Sequence, residues 1–202
     1  LWIMSTNPAV SMPEADAVRD AIVACAFVVV SDIMARTDTT RLADVILPAT
    51  GWGEKSGAVT NSDRTVSRQR AFLPAPGQAR PDWQIICDVA AAMGFGQAFE
   101  YDGPAAIYRE HAKLSGVAGT LGRDFDISDH AAIDDAAYDA MAPFRWPAAG
   151  ARQGGRLFAN GGFFTPNGRA RMLALTAGDP AQKLSPAYPL RFNTGRTRDH
   201  WH

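Results

Sequence analysis

The residues of this chain best suited to chemistry follow a short apolar run, Val45-Ile46-Leu47, bounded by Asp44 and Pro48. Gly51-Trp52-Gly53-Glu54-Lys55 comes next, then Gly57, then Thr60-Asn61-Ser62-Asp63-Arg64. Glycines let a backbone approach another group closely, Thr, Asn and Ser offer neutral hydrogen bonds, and Lys and Arg bring charge. At the carboxyl end of a strand that mixture suits a polar, phosphate-bearing ligand better than a metal or a covalent intermediate. An ordinary turn-rich loop has a similar composition. Pro48 has no backbone donor and is expected to end the strand's ladder. Two more exits carry polar groups: Asn7, in Ser5-Thr6-Asn7-Pro8, and the pair Ser31-Asp32. Ligands of parallel sheets bind beyond the carboxyl ends of the strands, so Asn7, Ser31, Asp32 and the 51–55 loop should meet on one edge. An acid at such an exit also serves as a turn former or helix cap.

Leu1-Trp2-Ile3-Met4 and Phe27-Val28-Val29-Val30 are apolar throughout, which marks strands buried on both faces. Between them, Ser11-Met12-Pro13-Glu14 offers a capping box with proline in the first turn. Ala15, Val18, Ile22 and Cys25 then recur at helical spacing and give one face to the sheet. A short helix near 39–42 leads into the run at 45–47. This alternation predicts an α/β fold, a doubly wound and mostly parallel sheet with right-handed crossovers. After a connector at 72–80, Asp82 precedes an apolar stretch that ends at Gly94, which predicts a helix with Asp82 as cap and Gly94 as terminator. Further helices are expected at 104–114 and 134–141. Asn160-Gly161 and Asn167-Gly168 predict short β-hairpins within 156–175. Residues 188–193 read as the first strand of a truncated barrel domain. The expected divisions are a cofactor-binding, Rossmann-like part at 1–147, a hairpin region and linker at 148–186, and the start of a last domain at 187–202.

Charges nearly cancel, 20 basic against 21 acidic, which argues against a nucleic-acid partner held by a basic surface. No apolar run approaches the ~20 residues that span a bilayer, so no membrane partner is expected. Cys25 and Cys87 are the only cysteines and lie far apart, whereas a cluster or zinc site needs three or four soft ligands; both read as small core residues. His111, beside Arg109, Glu110 and Lys113, reads as part of a solvated face. His130 lies near Asp124, Asp126 and Asp129, but the run lacks the glycine and terminal Glu of a calcium loop. The final run, Thr194-Gly195-Arg196-Thr197-Arg198-Asp199-His200-Trp201-His202, has two readings. An H-x-H pair with no third ligand is weak as a metal site. Alternatively Gly195 allows close approach while Arg196, Arg198 and the imidazoles donate to ligand oxygens. Leu1 is not an initiator Met and no leader precedes it, which reads as an internal piece of a longer protein.

Taken in order, the apolar run, Leu47-Pro48-Ala49, Trp52-Gly53-Glu54-Lys55 and G-x-V-T-N-S-x-R from Gly57 to Arg64 resemble the molybdopterin oxidoreductases. The wording from Trp52 to Trp83 looks most like the large catalytic subunit of bacterial assimilatory nitrate reductases, and F-x-T-P-x-G-x-A from Phe163 fits as well. The likeness is densest over 1–95 and 156–202. It implies a molybdenum-bis(molybdopterin guanine dinucleotide) cofactor contacted by Asn7, Ser31, Asp32, Lys55, Asp82 and the nine residues from Thr194 to His202. It further implies a 4Fe-4S cluster and a metal-ligating cysteine supplied by segments outside this sequence. The implied reaction is nitrate to nitrite, in the cytoplasm, with an electron-donor protein or diaphorase subunit as partner. No catalytic residue and no metal ligand is expected in this chain, and alone it should be inactive. Periplasmic nitrate reductases and formate dehydrogenase alpha subunits share the scaffold. A reading of a different class is a non-catalytic nucleotide-binding module.

Overall fold

The computed structural model describes residues 1–193 and Gly195, in two compact units, 1–155 and 156–202. The first unit begins with three parallel strands, β1 (Trp2–Met4), β2 (Val29–Asp32) and β3 (Val45–Pro48), in the order β1-β2-β3. The crossover from β1 to β2 carries the helices α1 (Pro8–Ser11) and α2 (Ala15–Val23). Ile22 of α2 closes a core with Ile3, Val28 and Val30, and Val18 and Cys25 pack against it, as the helical spacing predicts. A turn of 3-10 helix at Thr40–Leu42 leads into β3. Strand order advances in one direction only, so the reversal of a doubly wound sheet does not occur among the described residues.

Several local expectations are corrected. The 11–14 box does not cap α2: Glu14 stands at its N-cap with φ 54° and makes no side-chain cap bond. Ser11 is instead the last residue of α1, and its hydroxyl donates back to the Asn7 carbonyl. Pro8 causes this, because a proline in the first turn starts a separate short helix four residues early. Phe27 lies outside β2 and is exposed, so the strand runs two residues later and includes Ser31 and Asp32. Val45 and Ile46 are 38% and 39% exposed, so β3 is not buried on both faces. Nor does Pro48 end the ladder. Its carbonyl accepts from Arg80 N at 3.1 Å, Ala49 N reaches the Asp32 carbonyl and Thr50 N reaches the Arg80 carbonyl. A proline lacks only the donor, and here the main chain at Arg80 uses the acceptor.

The segment read as a loop after Lys55 contains an antiparallel hairpin, β4 (Gly57–Thr60) and β5 (Thr65–Gln69), turned by Asn61-Ser62-Asp63-Arg64. Helices α3 (Asp82–Ala92), α4 (Pro104–Gly119) and α5 (Asp135–Asp139) follow. Gly94, at φ 87°, terminates α3 as expected, and Asp134 caps α5 through Ala137 N. Strand β6 (Phe144–Arg145) joins β5. A small hairpin of β7 (Ala148–Ala149) and β8 (Arg152–Gln153) opens the 148–186 stretch. A second core, Val66, Tyr108, Ala112, Ile127 and Tyr138, holds this half together. Cys25 and Cys87 are half-buried rather than fully enclosed. His111 is exposed, as its charged neighbours suggest.

His130 faces the second core. Its Nδ1 lies 2.9 Å from the Tyr108 hydroxyl and its ring 4.3 Å from that of Phe144. Burial holds its pKa below the ordinary histidine value, and the adjacent Asp129 carboxylate only partly offsets this. The unfolded chain therefore takes up this proton at a higher pH than the folded one. Stability is full above the ordinary value near ~6.5 and falls as pH drops below it. The thermal midpoint should decline between about pH 7 and 5, and His130→Gln should flatten that slope. An unchanged slope in the variant would remove His130 as its source.

In the second unit no strand forms at 156–175 or 188–193. Turns at Gly161 and Gly168 are present, but only an isolated bridge pairs Ser185 with Tyr188. Asn-Gly sets a turn, yet a hairpin also needs flanking strands that bury a face, and Phe164, Met172, Leu173 and Leu175 are exposed.

Candidate functional site

The exits of the parallel strands surround one cavity of about 470 Å³. Ser5, Thr6 and Asn7 enter it from the end of β1, Asp32, Ile33 and Met34 from β2, and Thr50, Gly51, Trp52 and Lys55 from beyond β3. This is the location that a parallel sheet dictates, since side chains beyond the last ladder bonds are free to face a ligand. Asn7, Asp32 and Lys55 are thus brought together. Ser31 is not. Its side chain is fully buried and its hydroxyl accepts from Trp2 Nε1 at 2.8 Å.

Asn7, Asp32 and the 51–55 loop are each fixed by a local partner. Asn7 Oδ1 accepts from the Thr39 hydroxyl at 2.6 Å and from Thr39 N at 3.2 Å, which ties the first exit to the turn before β3. Asp32 Oδ1 accepts from Met34 N at 2.9 Å, an Asx turn that aims the second exit and leaves Oδ2 for something else. In the third loop Gly51 N donates to Glu54 Oε2 at 2.6 Å, closing a single 3-10 turn at Trp52–Glu54. A Cβ at Gly53 would lie 2.7 Å from the tip of the exposed Phe72 ring, so a larger residue there would have to displace that ring.

Asp82 is not the cap of α3. Pro81 holds that position and Asp82 is the first helical residue. Its Oδ2 accepts from Lys55 Nζ at 2.7 Å and its Oδ1 from the Ser5 hydroxyl at 3.4 Å. Both charged side chains are about a quarter exposed, 28% and 26%. The pair joins the first loop, the third loop and the start of α3 at the cavity wall. Lys55 therefore faces a carboxylate rather than open solvent, with two ammonium hydrogens left for a ligand. Ile33, Met34, Thr37 and Thr50 also line the cavity and were not singled out from the sequence. Trp52 is 66% exposed, an unusual position for so large an apolar group, and its carbonyl is held by Gln69 Nε2.

Among the described residues no three His, Cys, Asp or Glu side chains gather closely enough to hold a metal ion. What the cavity offers is amide, ammonium, carboxylate and aromatic surface, which suits an organic ligand with ring N–H groups and phosphates. Of the run Thr194-Gly195-Arg196-Thr197-Arg198-Asp199-His200-Trp201-His202, all but Gly195 lie outside the described residues.

Comparison with known proteins agrees with that chemistry. Residues 1–92 match the family model described as molybdopterin oxidoreductase. Over these residues the chain belongs to the molybdopterin oxidoreductase family. A nitrate reductase of Klebsiella oxytoca is 46% identical over the whole chain, which covers 23% of that protein. The assimilatory nitrate reductase catalytic subunit of Bacillus subtilis is 34% identical, again over the whole chain and 28% of that protein. An F420-dependent formate dehydrogenase subunit alpha of Methanocaldococcus jannaschii is 32% identical with the same coverage. The chain thus spans about a quarter of the length of the curated relatives it matches. The acetylene hydratase of Pelobacter acetylenicus superposes with a TM-score of 0.56 at 17% identity, over 83% of this chain and 20% of that one. That likeness shows a shared mixed α/β fold. The family uses a molybdopterin cofactor, and the cavity's donors and acceptors fit the organic part of such a group.

Proposed function

We propose that this chain is part of the cofactor-holding wall of a molybdenum enzyme that reduces nitrate to nitrite, of the assimilatory type. The observation that carries this reading is the meeting of Asn7, Asp32 and Lys55 around one strand-exit cavity in a chain whose nitrate reductase relatives match it end to end. The ligand is a molybdopterin guanine dinucleotide, one of two in the bis form. When bound, the cofactor supplies the two-electron chemistry by which nitrate, with two protons, becomes nitrite and water.

The residues of this chain bind and orient. Lys55 offers its unused ammonium hydrogens to a diphosphate while Asp82 keeps the side chain from swinging away. Asp32 accepts a ring or ribose donor with Oδ2, and the Asx turn on Oδ1 keeps that oxygen aimed. Asn7 shapes the first loop through Thr39 and presents its amide nitrogen. Trp52 covers a flat ring. Ser31 acts at one remove, by setting the indole of Trp2 behind the sheet. The 194–202 run, with its arginines and imidazoles, supplies further donors to the same cofactor. A 4Fe-4S cluster, the metal ligand, the opposite half of the doubly wound sheet and the barrel domain belong to the rest of the enzyme. An electron-donor protein or diaphorase subunit delivers the electrons, in the cytoplasm.

The complete purified protein, given a reduced dye donor, should convert nitrate to nitrite and carry molybdenum and pterin. The formate dehydrogenase relatives motivate a second reading, weaker because their identity is 27–33% against 46% for the Klebsiella oxytoca nitrate reductase. Formate oxidation without nitrate reduction would select it, and protein lacking pterin would defeat both.

A further inference from the structure

Thr50 is fully buried, and its hydroxyl has no hydrogen-bond partner among the described residues. Other buried side-chain atoms share that condition, Arg68 Nε and the Tyr138 hydroxyl, but neither residue lines the strand-exit cavity. Thr50 does, between the Asp32 exit and the Gly51–Lys55 loop. A buried hydroxyl that has given up water for nothing destabilises the state in which it is found, so such atoms are uncommon and call for an explanation. Neighbouring backbone does not provide one. Thr50 N is committed to the Arg80 carbonyl at 3.0 Å and Ala49 N to the Asp32 carbonyl at 3.0 Å, so neither N–H is free to donate to the hydroxyl.

We infer that Thr50 is a further ligand-binding residue of this cavity, its hydroxyl donating to an oxygen of the pterin–nucleotide seated there. The inference rests on the reading of the cavity as a molybdopterin site. The main chain at Thr50 is pinned as an extension of β3, so only the side chain has to respond. Rotation between the staggered χ1 wells re-aims the hydroxyl, with the methyl taking the place of the Cβ hydrogen. In the ligand-free protein the hydroxyl is sealed and unpaired; with the cavity filled it gains its bond. The same hydroxyl thus works against the ligand-free fold and in favour of the loaded one. A purely structural threonine would act in one direction on both.

That opposition gives the test. Thr50→Val, which keeps the shape and removes the hydroxyl, and Thr50→Ser, which keeps the hydroxyl, are made in the complete protein beside Lys55→Met. Pterin released on denaturation is measured per protein, and the thermal midpoint is measured on protein prepared in cells unable to make the pterin. Thr50→Val should carry at least three-fold less pterin, while its ligand-free midpoint stays level or rises, and Thr50→Ser should recover most of the pterin. Parent-level pterin in Thr50→Val overturns the inference, and so does a loss accompanied by a lowered ligand-free midpoint. If Lys55→Met loses pterin and Thr50→Val does not, only Thr50 was misassigned; if neither loses any, the reading of the cavity itself fails.

Discussion

Asp82→Ala in the complete protein should carry severalfold less pterin and have a lower thermal midpoint as well. The carboxylate holds Lys55 Nζ at 2.7 Å and the Ser5 hydroxyl, so its loss frees two loops of the cavity wall at once. Exposed ion pairs are worth about 0.2–1 kcal/mol and hydrogen bonds to charged groups about 1.5–3. With both partners about a quarter exposed, the pair belongs between those ranges, so a loss of about 1–2 kcal/mol is expected. Lys55→Met should cost less stability, because Met keeps most of the apolar stem and leaves Asp82 its water and Ser5. Its pterin loss should be as large, since the diphosphate loses its cation. The double variant separates the roles. If Asp82 acts only by holding Lys55, Lys55→Met with Asp82→Ala should retain as much pterin as Lys55→Met alone. A further drop would give Asp82 a ligand contact of its own. Normal pterin in Asp82→Ala would remove it from the site.

The parallel strands were readable because uniform apolar runs alternating with one amphipathic helix admit few other arrangements, and the exits of such strands converge whatever their sequence. Asn7, Asp32 and Lys55 followed from that topology. Four features were missed, each for a physical reason. Asp82 stood where a cap belongs, but Pro81 already supplies the extended residue before α3, which freed the carboxylate for Lys55, 27 residues away in sequence. Nothing local in a sequence records so distant an ion pair. Ser31 looked like a site residue because it precedes Asp32, yet neighbours in a strand point to opposite faces. Its inward side met Trp2. The β4–β5 hairpin did leave a signal, with Val59, Thr60, Thr65 and Val66 flanking a polar turn. It was obscured because the same glycine and polar residues also suit a ligand loop. Thr50 could have been found from the two-residue alternation beyond β3, had Pro48 not suggested that the strand was over.

Asn7→Ala should destabilise the ligand-free fold by about 2–4 kcal/mol, more than any other change at the cavity, although its side chain reads most simply as a ligand contact. Thr39 is fully buried, and both its hydroxyl and its backbone N–H donate to Asn7 Oδ1. Truncation strands both donors out of reach of water, at about 1–3 kcal/mol each. The Thr39 hydroxyl also accepts from Ala9 N at 3.2 Å, so the first turn of α1 is held through the same side chain. Asn7→Asp keeps an oxygen in place and should recover most of the stability. Its effect on pterin content then reports what the amide nitrogen does, because the aspartate has no hydrogen to donate there. Stability restored with pterin still low would assign the nitrogen to the ligand. Both restored would leave Asn7 as the strut between the β1 exit and the turn before β3. An alanine variant as stable as the parent would contradict the hydrogen-bond arrangement on which either role depends.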